Sequence, residues 1–240
     1  MDSTAAKPST ASYYHDGAKR LLSSDLASLP LDQLTDQHAG QFAARLAYLS
    51  PSTVNCGLRT LRRALSLAVQ WDRLERMPRI NLAKNERQRE RVLTDDETTR
   101  YLAACPQPWR DVALLIWAEG LRPGEAYALD WRNILLNGSG GLIQVTQGKS
   151  RAAKRLLPMA PEVYQALKAR HETQGFPREG WVFPTGSRSG HLEESSAKKY
   201  HAKALETLAK AHKDNPEEVP EIEPFPPYCL RHTFVTRMAP

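Results

Sequence analysis

Cysteine is scarce and odd in number: Cys56, Cys105 and Cys229 are the only three among 240 residues. Such usage speaks against a disulfide framework and suits a reducing cytoplasm. No two of them stand at the short spacing of a zinc site. Long apolar runs are also missing. Nothing approaches the roughly 18 consecutive apolar residues of a membrane span, so no membrane partner is expected. The opening, Met1 to Ser12, is rich in Ser, Thr and Ala and has no apolar heart, so a signal peptide is not expected either. His15, His38, His171, His191, His201 and His212 lack metal-ligand spacing and read as surface or core residues. There is no internal repeat.

What is present is ample core material and an uneven charge. Hydrophobic residues make up 41% of the chain, and its length favours one or two domains. The net charge is +6. Residues 55–91 hold ten basic groups, among them Arg59, Arg62, Arg63, Arg87, Arg89 and Arg91, against four acids, a difference equal to the whole excess. Clustering of this kind is an electrostatic footprint for a polyanion. It also suits a solvated helix face and linker, and composition leaves both readings open.

The pattern along the chain is mainly helical with one small antiparallel sheet. Residues 1–11 are expected to be disordered, 12–76 to form a helical module, 77–92 a basic linker, and 93–240 a second domain. Ser50-Pro51 marks a helix start, with an N-cap followed by proline at the first helical position. Val54, Leu58, Leu61, Leu65 and Ala68 then recur at three- and four-residue spacing, forming one apolar stripe. Arg59, Arg62 and Arg63 fall off it. Thr94-Asp95-Asp96-Glu97 is a capping-box pattern that opens a new helix. Pro108 to Glu119 reads as a buried helix ended by Gly120. Three short strands follow, at Trp131–Leu136, Leu142–Thr146 and Arg155–Pro158, with Gly148-Lys149-Ser150 in the second turn. Helices resume at Pro161 and after Ser195. Residues 215–227 form a proline-rich acidic loop, and a last helix begins near Leu230.

Three segments carry the chemistry. The first is Glu119-Gly120-Leu121-Arg122-Pro123-Gly124-Glu125, followed by Leu129-Asp130-Trp131. The second is Thr146-Gln147-Gly148-Lys149-Ser150 with Leu157-Pro158. The third is Phe225-Pro226-Pro227-Tyr228-Cys229-Leu230-Arg231-His232-Thr233-Phe234. Two guanidinium forks and an ammonium suit one phosphate and the charge that builds on it in a transition state. In order, spacing and flanks these segments resemble the two arginine boxes and the lysine hairpin of the tyrosine recombinase, or phage integrase, family. The helix ending in Ala68-Val69-Gln70-Trp71 and the Arg91-Val92-Leu93-Thr94 junction are similar to the family's core-binding (SAM-like) domain and the start of its α+β catalytic domain.

The resemblance implies a site-specific recombinase that cuts and rejoins double-stranded DNA through a 3′-phosphotyrosine. It implies neither cofactor nor metal nor small-molecule substrate, and it implies self-association on DNA sites. Arg122 and Arg231 would hold the non-bridging oxygens, and Lys149 would be general acid for the leaving 5′-oxygen. Glu125 would orient Arg122 or a neighbour, and His232 would support the site. Tyr228 stands where the family most often has histidine; a phenol of pKa about 10 is a poor base near neutrality but still hydrogen-bonds a phosphate oxygen. Arg59, Arg62, Arg63, Arg87, Arg89 and Arg91 would track the DNA backbone. No tyrosine follows Tyr228, so the chain is expected to lack the nucleophile-bearing segment and to be inactive by itself. The alternatives are a non-catalytic DNA-binding remnant and a basic helical protein of unrelated ancestry.

Overall fold

The computed structural model describes residues 8–86, 91–138, 140–146 and 154–238. They fall into two compact units, residues 1–89 and 90–240. None of the described helices is long and apolar enough to cross a membrane.

In the first unit α1 (Pro8–Leu22), α2 (Asp36–Arg45) and α3 (Pro51–Gln70) surround one small core, with two 3-10 turns between α1 and α2. The start of α1 at Pro8 places residues 8–11 in a helix, where disorder was expected. The stripe of α3 is the core-facing one: Val54, Leu58, Leu61, Leu65 and Ala68 are all buried. α1 crosses α3 closely at Gly17, where a Cβ would lie 2.0 Å from Thr60 Oγ1. Only a residue without a side chain lets the two helices approach so far.

The stretch after Met77, expected to be a plain linker, is folded onto α3 as far as Glu86. Ile80 is buried. Asn55, itself 1% exposed, closes a ring with Ala83 by accepting its N–H at 2.7 Å and donating to its carbonyl at 3.1 Å. The segment lacks apolar periodicity, but a buried amide that both donates and accepts can hold an irregular backbone as firmly as a strand would.

The second unit is built round α5 (Trp109–Glu119), whose Trp109, Val112, Ala113, Leu115 and Ile116 are at most 1% exposed. Around it lie α4 (Asp95–Ala104), α6 (Pro123–Tyr127), α7 (Pro161–Thr173), α8 (Glu194–Asp214) and α9 (Tyr228–Met238). α4 opens with the expected capping box: Thr94 Oγ1 accepts from the Glu97 N–H and Glu97 accepts from the Thr94 N–H. An ion pair of 2.6 Å between the buried Asp111 and the partly buried Arg170 ties α5 to α7. The antiparallel meander β1 (Ile134–Asn137), β2 (Gly140–Val145) and β3 (Arg155–Pro158) pairs Ile134 with Ile143 and Ile143 with Leu157. The strand expected from Trp131 starts only at Ile134, because Asp130 caps a 3-10 turn by accepting the Arg132 N–H.

Candidate active site

α5 ends at Gly120 in the left-handed region, φ 59°. Two features require glycine there. A side chain is strained at that φ, and a Cβ would lie 2.2 Å from the Phe234 ring of α9. The turn then places Arg122 at the N-cap of α6, with Pro123 at the first helical position and Glu125 at the third.

Glu125 is the hub of the ionic cluster. One oxygen accepts from the Arg122 backbone N–H at 2.9 Å and the other from Arg122 Nη1 at 2.8 Å. Arg155 of β3 donates Nη2 to the same carboxylate at 2.9 Å. The Glu125 side chain is 13% exposed and that of Arg122 48%. Burial pushes the Glu125 carboxyl up, but the hydrogen bonds from Arg155 and Arg122 together outweigh it and hold the group below its ordinary value. One carboxylate thus faces two guanidiniums, leaving a net positive cluster with the exposed Arg122 at its rim. A cleft of about 360 Å³ opens beside it, lined by Leu121, Glu125, Asp130, Arg132, Gln144 and Trp181.

Arg231 reaches the same turn from α9: its Nη1 donates to the Gly120 carbonyl. α9 is further fixed by Thr233, whose Oγ1 accepts the Leu93 N–H at 3.0 Å. Tyr228 begins α9 and is exposed. Its ring meets His232, one turn on, edge to face at 4.9 Å. The first and second arginine boxes are therefore joined at Gly120, and Glu125 holds Arg122. Lys149 lies outside the described residues, between β2 and β3, whose near ends pair Val145 with Arg155.

The basic residues expected on DNA divide. Arg59 is engaged with Glu86 at 2.7 Å, and Arg62 donates to the Ile80 carbonyl. The Arg59 guanidinium and the Asn55 amide hold the Glu86 carboxyl at about 2. Arg91 binds Glu97 at 2.6 Å and the Glu223 carbonyl, and lies over the Phe225 ring. These three arginines donate to the carbonyls and the carboxylate of irregular segments at Ile80, Glu86 and Glu223, and Arg91 also to Glu97 of α4, which a helical-face reading does not anticipate. Arg63 is exposed on α3. Arg87 and Arg89 lie outside the described residues. Sequence reasoning assigns Arg155 no role, although it stands two residues before the Leu157-Pro158 pair that marks the hairpin; His201, expected at the surface or in the core, is in the core.

Comparison with known proteins agrees with this architecture. The tyrosine recombinase XerC of Xanthomonas campestris pv. campestris (strain B100) is 28% identical over 197 residues, covering 79% of this chain and 56% of that protein. The chain thus spans just over half the length of the curated relatives it matches. The Tn1549 transposon integrase (aa 82–397), solved in complex with circular intermediate DNA, has a TM-score of 0.75 at 20% identity, covering 98% of this chain and 82% of that one. A lambda integrase dimer bound to a COC′ core site gives 0.69 at 20% identity, covering 97% and 65%. These structures share the mostly helical fold with its three-stranded antiparallel sheet. The phage integrase family matches residues 91–240, more than half of the sequence, and the chain belongs to that family.

Proposed function

We propose that this chain is the DNA- and phosphate-binding part of a site-specific DNA recombinase. The observation that carries the reading is the junction at Gly120. An arginine 111 residues away in sequence is held on the turn that presents Arg122. Arg122 and Arg231 take the non-bridging oxygens of the scissile phosphate and offset the charge of its pentacoordinate state, where one well-placed donor is worth on the order of 10²–10³ in rate. Tyr228 donates its hydroxyl to a phosphate oxygen, with His232 packed behind it. Glu125 keeps the Arg122 fork from swinging into solvent.

The reaction joins a tyrosine oxygen to phosphorus as the phenol gives up its proton to solvent, and it breaks the bond to the 5′-oxygen, which takes a proton from Lys149. The bond energy is conserved in the phosphotyrosine, so rejoining needs no nucleotide. Residues 229–240 contain no tyrosine. Tyr228, the last tyrosine of the sequence, is read here as a phosphate ligand and not as the attacking group. The partner is double-stranded DNA in the cytoplasm, bound by copies that associate on the site, as the fold shared with a lambda integrase solved as a dimer on its core site suggests.

The test uses duplexes carrying a nicked, suicide-type scissile site. The 240-residue chain is expected to bind them without forming a denaturation-resistant adduct. An adduct is expected once a tyrosine-bearing C-terminal segment is supplied, and R122A or R231A should abolish it. An adduct that survives both substitutions would overturn the proposal.

A further inference from the structure

The segment before α9 contains Pro216, Pro220, Pro224, Pro226 and Pro227, which have no N–H to give a sheet or helix ladder. Side chains take up its carbonyls instead. Arg100 donates to Pro220 O at 2.7 Å, Arg91 to Glu223 O, and His201 Nε2 lies 2.6 Å from Phe225 O. The last of these is the buried one, and it stands three residues before Tyr228.

The direction of each hydrogen bond follows from chemistry. Burial lowers the His201 pKa and keeps the ring neutral; since a carbonyl only accepts, the one ring proton sits on Nε2 and Nδ1 presents a lone pair. Tyr101 OH lies 2.6 Å from that Nδ1 and accepts the Trp109 Nε1 hydrogen at 2.7 Å. Indole only donates, so the phenol gives its own hydrogen to His201. The result is a one-way relay from Trp109 through Tyr101 and His201 to the Phe225 carbonyl. Its four residues are at most 6% exposed and come from α5, α4, α8 and the proline-rich segment. Every member is satisfied, and a satisfied buried network selects one arrangement.

We propose that His201 is a positioning residue for the phosphate-binding end of α9, with Tyr101 and Trp109 fixing its tautomer. The inference rests on the reading of Tyr228 and Arg231 as phosphate ligands. Between the held carbonyl and Tyr228 stand only Pro226 and Pro227, whose φ angles are locked. Their carbonyls accept the N–H groups of the second and third residues of α9, Cys229 at 2.9 Å and Leu230 at 3.2 Å. Anchoring Phe225 therefore sets the start of α9, and with it the direction of Arg231.

Two substitutions separate this from simple core packing. In H201Q the amide offers an acceptor to Tyr101 and a donor to Phe225, spaced much as the two ring nitrogens are. H201L fills the space and breaks the relay. The readouts are NMR signals: the ring-current shift that Phe234 imposes on the Gly120 Hα, and the Nε–H resonances of Arg122 and Arg231 during titration with inorganic phosphate. The wild type and H201Q are expected to share the Gly120 shift and to show both arginines responding. H201L should move the Gly120 signal and weaken phosphate binding at least tenfold, read alike at Arg231 and Arg122. A wild-type Gly120 shift in H201L would overturn the proposal; should H201L not fold, Y101F, which leaves Nδ1 without its donor, decides in the same way. If phosphate moves neither arginine of the wild type, the phosphate reading fails, and the Gly120 shift still decides whether His201 places α9.

Discussion

Arg231 donates a hydrogen bond to the carbonyl of Gly120, across 111 residues of sequence. That carbonyl belongs to the residue ending α5 in a left-handed turn, two positions before Arg122. One backbone group thus sets the reach of both arginines.

Gly120 should tolerate no substitution. G120A combines a left-handed penalty with a Cβ placed 2.2 Å from the Phe234 ring. Together these are expected to cost about 2–4 kcal/mol in urea unfolding. G120N relieves the φ strain but not the collision. Near-equal losses for Ala and Asn would assign the larger share to Phe234, and a near-neutral G120A would contradict the close approach.

The Glu125 cluster should make stability acid-sensitive. Its carboxyl is held below the ordinary value in the fold, so the unfolded chain binds the proton more readily. The contribution is present above the unfolded pKa of about 4.5 and is lost as pH falls through the lower folded value. E125Q should lose roughly 1–2 kcal/mol at pH 7, discounted for the half-exposed Arg122, and should flatten this part of the acid limb. Parallel pH–stability curves for wild type and E125Q would speak against the coupling.

Glu119 predicts the opposite sign. It is 5% exposed, and burial pushes its carboxyl up in spite of the Ala160 N–H donated to it at 2.7 Å. A raised folded pKa gives stability that is present below the unfolded value and lost as pH rises through the folded one. E119Q keeps an acceptor for Ala160 and removes the buried charge. Its melting temperature is expected to exceed that of the wild type at pH 8 and to converge with it at pH 4. A lower value at pH 8 would mean that the charge itself is needed.

DNA binding should separate two sets of arginines. Arg63, Arg73, Arg76 and Arg79 are exposed, whereas Arg59 and Arg62 fasten residues 80–86 to α3. Replacing Arg63, Arg76 and Arg79 by alanine is expected to reduce the log–log salt slope by about 0.9 for each phosphate no longer neutralised, with little change in melting temperature. R59A with R62A is expected to lower the melting temperature first. A salt slope unchanged by the triple substitution would remove these residues from the DNA path.

Local chemistry made much of the fold legible in the sequence. The α3 stripe, the Thr94–Glu97 capping box, Pro123 at the start of α6 and Gly120 at the end of α5 each act within a turn or two of chain, so the residues themselves state the outcome. The arginine boxes were legible for the same reason: each is a short string with a fixed local geometry. What the tertiary structure decided lies at long range. Nothing near Arg155 says that it reaches Glu125, 30 residues back, and shares that carboxylate with Arg122, and nothing near His201 says that it faces Phe225 and Tyr101. Arg59, Arg62 and Arg91 carry the charge of DNA ligands, yet their partners are Glu86, the Ile80 and Glu223 carbonyls of segments with no periodic pattern, and Glu97 in the first turn of α4. An irregular segment satisfies its polar groups with whatever side chains the fold brings to it, and only the packed chain determines which those are.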